Sequence, residues 1–304
     1  MVNRRESLFP RRALRAYAPA PMPPAIYTYT AAANGLFVNS YLVETDDGVV
    51  AIDASLLVSD AVAFRARLDA LHKPLLAVLV THGHPDHFNG VVELVRGQGD
   101  VPIYATPEGK AVIDEVAEPK RAQWSPTYGE QWPKETAYPT AVIEDGETVE
   151  LAGLRVRAHE LGPCESASEA VFVVVGGDDE AVAFTGDLLY NAHHSYNADG
   201  FTRAWLDALD RAPALLAGID TLYPGHGRPA GPEALAAQRR YQLMLRETVR
   251  NLADGEPALS DAAKEQLTAR MCAFLPDPAL AWLVSLSADA VAAELAAEGV
   301  GARR

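Results

Sequence analysis

His82, His84, Asp86 and His87 stand within six residues of one another, in the run Val78-Leu79-Val80-Thr81-His82-Gly83-His84-Pro85-Asp86-His87. Neutral imidazoles and a carboxylate are the donors that a borderline divalent cation takes, and four of them on one turn converge with little further ordering entropy to overcome. Leu75 to Val80 is rich in leucine and valine and reads as a strand buried on both faces, while Gly83 and Pro85 forbid its continuation. The imidazoles therefore sit on a sharp turn at the C-terminal end of a strand, where open α/β sheets place their sites. A solvated polar loop is the bland alternative, and the density of ligand types argues against it.

In this HxHxDH pattern the chain resembles the metallo-β-lactamase fold superfamily. The resemblance implies an αββα sandwich, two mixed β-sheets with outer helices, holding two divalent metal ions. Further ligands follow downstream in a fixed order. Val182-Ala183-Phe184-Thr185-Gly186-Asp187 is a strand ending in an acid and matches the family's Gly-Asp, so Asp187 is expected to bridge the metals. Pro224-Gly225-His226 matches the terminal Pro-Gly-His and makes His226 the last ligand. Between them, most of the family reads Pro-Gly-His-Ser or Pro-Gly-His-Thr; here the loop is Leu161-Gly162-Pro163-Cys164-Glu165-Ser166, and Glu165 stands where the third histidine would be. Asp53, at the end of the strand Val49 to Asp53, is implied to support the metal histidines; read without the resemblance, it is equally a helix N-cap.

The implied assignment gives His82, His84 and Glu165 to one metal, and Asp86, His87 and His226 to the other. Asp86 would orient the attacking water and handle its proton, while Tyr190, His193 or His194 would hydrogen-bond a developing oxyanion. His159, His193 and His194 are also reserve ligands should Glu165 face solvent. Zn²⁺ is the expected metal, and the added carboxylate broadens the choice toward Mn²⁺ or Fe²⁺. The leading expectation is a hydrolase of a small or medium ester, thioester or lactone. An iron-dependent oxidoreductase of the same superfamily and a metal-poor, non-catalytic binding protein are the alternatives, resting on the carboxylate-rich site and on the missing histidine.

Three segments must position these residues. Residues 1 to 25 mix arginine with proline and suit an extended arm. Residues 26 to 230 carry the catalytic domain. Its strands are predicted at Ile26 to Tyr29, Phe37 to Val43, Val49 to Asp53, Leu75 to Val80 and Val101 to Ala105, with helices at Val58 to Lys73 and Asn89 to Gln98. A second run of short strands covers Val142 to Glu144, Thr148 to Leu151, Leu154 to His159 and Ala170 to Val175, and Arg203 to Leu216 is amphipathic. Residues 121 to 139 place Trp124, Tyr128, Trp132 and Tyr138 among prolines and Gly129 with no regular period and read as an aromatic loop, which the resemblance implies overhangs the site and which equally could be pinned to the core by these aromatics. Residues 231 to 304 read as a helical extension with no ligand cluster, expected to cover a sheet edge or, alternatively, to form a homo-oligomer contact.

A net charge of -15, from 41 acidic against 26 basic residues in 304, repels phosphate backbones and disfavours a nucleic-acid partner. The expected partner is a small-molecule substrate. Two cysteines far apart, Cys164 and Cys272, indicate neither a disulfide framework nor a cysteine metal site. With no apolar run of about 20 residues for a membrane span and no signal-peptide core, the expected location is cytoplasmic.

Overall fold

The computed structural model describes residues 24–176, 180–276 and 279–301. Nearly all of the arm expected over residues 1 to 25 lies outside the described residues. Two mixed sheets face each other. The first holds β1 (Ala25–Thr30), β2 (Asn39–Glu44), β3 (Val49–Ile52), β4 (Leu75–Leu79), β5 (Ile103–Ala105) and β6 (Ala141–Val142), in that spatial order. The second holds, from edge to edge, the strands Leu222–Gly227, Ala181–Asn191, Ala170–Val175, Leu154–Glu160 and Thr148–Leu151. In chain order these are β7 (Thr148–Leu151), β8 (Leu154–Glu160), β9 (Ala170–Val175), β10 (Ala181–Asn191) and β11 (Leu222–Gly227). Antiparallel hairpins open each sheet, and parallel β3–β4–β5–β6 and β10–β11 pairs follow.

Strand alternation explains the layering. Along β9, Ala170, Phe172 and Val174 point between the sheets, where they meet Val50, Ile52, Ala77 and Leu79 of the first sheet. Val171 and Val173 point outward to Trp205, Ala208 and Leu209. Both faces are apolar because the first sheet covers one and a helix the other. The outer face of the first sheet is covered by α1 (Val58–Ala70), the short α2 (Pro85–Phe88) and α3 (Val91–Val95), and the first half of α4 (Pro107–Tyr128). The second sheet's outer face takes α5 (Thr202–Leu215), whose Trp205 is fully buried. The helices α6 (Glu233–Ala253), α7 (Asp261–Phe274) and α8 (Trp282–Gly301) share a core of their own around Leu245, Leu267 and Met271. No helix among the described residues is long and apolar enough to cross a membrane.

Three expectations from sequence are corrected. Much of the stretch 121 to 139 is not loop: α4 runs from Pro107 to Tyr128 and ends in a 3₁₀ turn, Gly129–Gln131. Pro119 and Pro126 lie inside it and each removes one N–H from the helical ladder. Burial offsets that loss: Ile113 and Ala117 pack on the first sheet, and Trp124 and Tyr128 pack on Leu56, Leu57 and Trp132. The strand expected at Val142 to Glu144 is β6, paired with β5 at the edge of the first sheet instead of opening the second. Asp187 does not end its strand, because β10 continues to Asn191 with register shifts on either side of Gly186. Such irregularities bend a strand and re-aim a side chain, and here the side chain concerned is Asp187.

Candidate metal centre

The HxHxDH turn is pinned at both ends before any cation is considered. Thr81 donates its amide and its hydroxyl to the two oxygens of Asp53, each at 2.9 Å, and Ala170 donates its amide to the Thr81 carbonyl. His84 then occupies the N-cap position of α2, with Pro85 in its first turn, which brings Asp86 and His87 round to the same side. Asp53 does not cap a helix; the N-cap of α1 is Leu57. Its Oδ2 instead accepts from His87 Nδ1 at 2.7 Å.

The ligand candidates fall into two buried groups. His82, His84 and Glu165 form one, and Asp86, His87, Asp187 and His226 form the other, each with one ligand atom per residue within 4.8 Å of the rest. Glu165 Oε2 lies 3.4 Å from His82 Nε2 and in close contact with His84 Nδ1. In the second group, His87 Nε2 is 3.3 Å from Asp187 Oδ1 and 3.7 Å from Asp86 Oδ2, and His226 Nε2 is 3.4 Å from both Asp86 Oδ2 and Asp187 Oδ2. Ligand atoms around a tetrahedral ion at about 2.1 Å stand roughly 3.4 Å apart, so these spacings are those of atoms sharing a central cation. His82 Nε2, His87 Nε2, His226 Nε2, Glu165 Oε2 and Asp187 Oδ1 are all buried without a hydrogen-bond partner. Orphaned polar atoms are costly when isolated, and here they converge. The residues fit divalent metal ions.

Each imidazole is held by its other nitrogen, as metal-bound histidines are. His226 Nδ1 donates to the Leu36 carbonyl at 2.9 Å, His84 Nε2 lies 3.0 Å from Asp199 Oδ2, and His82 Nδ1 lies 3.1 Å from the Thr81 hydroxyl and 3.3 Å from Glu169 Oε1. Burial alone would pull all four imidazoles down, but the carboxylates outweigh it. His84 and His226 are pushed up to about 9, and His82 and His87 rise well above the ordinary histidine range. Asp86 and Asp187 go the other way: burial would raise them, yet the facing imidazoles hold both well below the ordinary carboxylate range. A field that so favours positive charge on nitrogen favours a divalent cation between the same groups.

Asp187 belongs to the second group alone, and Tyr190 links it to the first. The Tyr190 hydroxyl donates to Asp187 Oδ2 at 2.5 Å and lies 3.4 Å from Glu165 Oε1, and its ring stacks on His226 at 4.4 Å and 7°. Two glycines permit this crowding. A Cβ on Gly225 would fall 1.9 Å from Asp187 Oδ1, and one on Gly186, whose φ is +47°, would fall 2.3 Å from Glu169 Oε1. The glycine of Pro224-Gly225-His226 is thus fixed by the close approach of β11 to the site.

His193 and His194 are not brought to the site. After Asn191 the chain turns through Ala192 in the left-handed region (φ +62°). His194 is buried between α6 and α7, 3.0 Å from the Tyr241 hydroxyl and 3.8 Å from Cys272 Sγ. His193 lies in a separate cavity beside Asn191 and Arg240. His159, on β8, joins neither ligand group. Sequence reasoning missed Glu169, which is fully buried, accepts from the Asp187 amide at 3.0 Å and faces His82. Burial, opposed by His82, leaves its carboxyl raised to about 7. The available signal was a glutamate directly at the head of the apolar run Ala170 to Val175.

Over the two candidate ligand groups lies a cleft floored by His84, Asp86, Glu165, Tyr190 and His226. Its walls are mainly apolar: Leu36 and Leu56, Trp124 and Tyr128 from α4, Trp132, and Trp282, Leu283 and Leu286 from the first turns of α8. Of the C-terminal helices, α8 therefore contributes to the wall of the cleft.

A family model described as the metallo-beta-lactamase superfamily matches residues 33–226. Among curated proteins, a probable hydroxyacylglutathione hydrolase of Schizosaccharomyces pombe is 26% identical over 152 residues, covering 50% of this chain and 48% of its own length. A linear primary-alkylsulfatase of a Pseudomonas species is 26% identical over 243 residues, covering 68% of this chain and 44% of its own length. The chain spans about half the length of these curated relatives. Among solved structures, a metallo-beta-lactamase family protein of Thermus thermophilus superposes with a TM-score of 0.64 at 20% identity, over 90% of this chain and 94% of that one. The family match takes in every strand that carries a ligand candidate, from the HxHxDH turn to His226, and the chain belongs to the metallo-beta-lactamase superfamily.

Proposed function

We propose that this protein is a dinuclear metal-dependent hydrolase that cleaves a small or medium ester, thioester or lactone. The observation that carries the reading is the pair of buried ligand groups, with their convergent orphaned nitrogens and oxygens, at the floor of an apolar cleft. His82, His84 and Glu165 would hold one cation, and Asp86, His87, Asp187 and His226 the other. When bound, such cations supply Lewis-acid polarisation of a carbonyl and lower the pKa of water toward neutrality. Zn²⁺ is the expected metal on the strength of four imidazoles.

The chain's own residues do the rest. Asp86 lines the cleft with a carboxylate held ionised by His87 and His226, and on this reading it would orient the attacking water and take its proton. Tyr190 spends its hydroxyl on Asp187, so its part is to hold that carboxylate and Glu165 in register and to brace His226 by stacking, in place of the oxyanion contact expected from sequence. Glu169 fixes the ring of His82, Asp53 that of His87, and Asp199 that of His84. The apolar walls exclude water and take the acyl or alkyl part of a substrate. The curated relatives support the ester and thioester class by their names, a hydroxyacylglutathione hydrolase and an alkylsulfatase.

The test is a panel of esters, thioesters and lactones assayed with the metal-loaded protein, with and without oxygen and after chelation. Turnover of at least one class, lost on chelation, restored by metal and indifferent to oxygen, is expected. Turnover that requires oxygen would move the protein to redox chemistry, and turnover that survives chelation would remove the metals from the reaction.

A further inference from the structure

The cleft holds one feature that hydrolysis itself does not use. Lys120 is the single lysine or arginine among the residues that line it. It shares a face of α4 with Trp124 and Tyr128, at successive steps of four residues, so the helix that supplies the aromatic wall also sets an ammonium in it. Among the described residues Lys120 forms no ion pair; its nitrogen stands over the Tyr196 ring, 5.9 Å from the centroid. Asp199 is the nearby acid that could neutralise it. Both Asp199 oxygens are taken, one by the Tyr196 hydroxyl at 2.9 Å and the other by His84 Nε2 at 3.0 Å. Tyr196 in turn stands edge-on to His84, with ring centroids 5.3 Å apart. The ammonium is thereby held two ring contacts from the candidate metal centre, beside an Asp199 carboxylate whose field it shares with His84 and which makes no ion pair with it.

We infer that Lys120 is a specificity-determining residue that pairs with an anionic group at the far end of the substrate. On the hydrolase reading, the substrate class narrows to an ester or thioester with an apolar body and a terminal carboxylate or comparable anion. The scissile carbonyl lies over the ligand groups, the body against Trp124, Trp132 and Trp282, and the anion at Lys120. In a chain of net charge -15, an anionic substrate is repelled at long range, and a fixed cation inside the cleft offsets that locally. A charge-assisted hydrogen bond in a partly desolvated cleft is strong enough to set a preference of roughly tenfold.

Two measurements on the full, metal-loaded chain test this. The first needs no turnover: quenching of the cleft tryptophans by phenylbutyrate is compared with quenching by phenylbutyramide. The wild type is expected to bind the carboxylate roughly tenfold more tightly, Lys120→Met to lose that preference and Lys120→Arg to keep it. The second compares para-nitrophenyl hemisuccinate with para-nitrophenyl butyrate. Lys120→Met is expected to lower kcat/KM for the hemisuccinate roughly tenfold through KM and to leave the butyrate unchanged. Three results would overturn the inference. A carboxylate preference that persists in Lys120→Met would place the anion elsewhere, on the metals first of all. Equal losses on both esters would mean that Lys120 acts through Tyr196, Asp199 and His84. Absence of any carboxylate preference in the wild type would leave Lys120 a solvated side chain. If neither ester is cleaved while the binding preference and its loss in Lys120→Met both hold, the anion site stands, and the hydrolase reading is decided by the wider panel of esters, thioesters and lactones.

Discussion

Asp86→Ala is expected to lower turnover by about three orders of magnitude while costing far less in metal content, in keeping with the 10²–10⁴ that a positioned proton acceptor typically contributes. Its partners explain the separation of effects. Removing Asp86 leaves the second group with His87, Asp187 and His226, and both nitrogens still lie within 3.4 Å of an Asp187 oxygen. What is lost is the one carboxylate of that group that also lines the cleft. Asp86→Asn, which keeps the shape and removes the charge, should be nearly as inactive. Near-normal turnover in either variant, read beside an elemental analysis of the same sample, would mean that another group orients the water.

Glu165→Ala should release one metal and keep the other, because Glu165 is the only carboxylate in its group and His82 and His84 alone make a poor site. The loss should exceed the roughly 10- to 100-fold in affinity that attends changes around a ligand instead of at it. Glu165→His should restore binding and shift preference toward Zn²⁺, since imidazole is the softer donor. Burial favours a ligand over a solvated glutamate: Glu165 is 3% exposed, and the loop that carries it is closed by the Cys164 amide donating to the Ser166 carbonyl at 2.9 Å and the Glu169 amide to the Gly162 carbonyl at 3.1 Å. A metal titration in which Glu165→Ala binds two ions like the parent would send the third ligand elsewhere.

The parts of the site that sequence reveals are those built from local geometry. His82 to His87 lie on one turn, and Asp187 and His226 each sit beside a glycine that the crowding requires. Glu169 was missed because its one signal, a glutamate heading the apolar run of β9, does not say that the side chain turns back toward His82. The wall of the cleft was misread for a different reason. Lys120, Trp124 and Tyr128 recur at helical spacing, but Pro119, Pro126, Gly129 and Pro133 are strong local breakers, and only packing on Leu56, Leu57 and Trp132 shows that helix prevails as far as Tyr128. His193 and His194 erred in the opposite direction: their ligand chemistry was right, but a left-handed turn at Ala192 carries them away from the site. Trp282 and Leu286 reach the cleft from α8, a placement that only tertiary structure reveals.

Elemental analysis of the purified chain tests the central claim most directly. The account predicts close to two divalent metals per chain, both removed by chelation with a fall in melting temperature, and both restored by Zn²⁺. No metal, together with no rise in melting temperature when Zn²⁺, Mn²⁺ or Fe²⁺ is added, would contradict it.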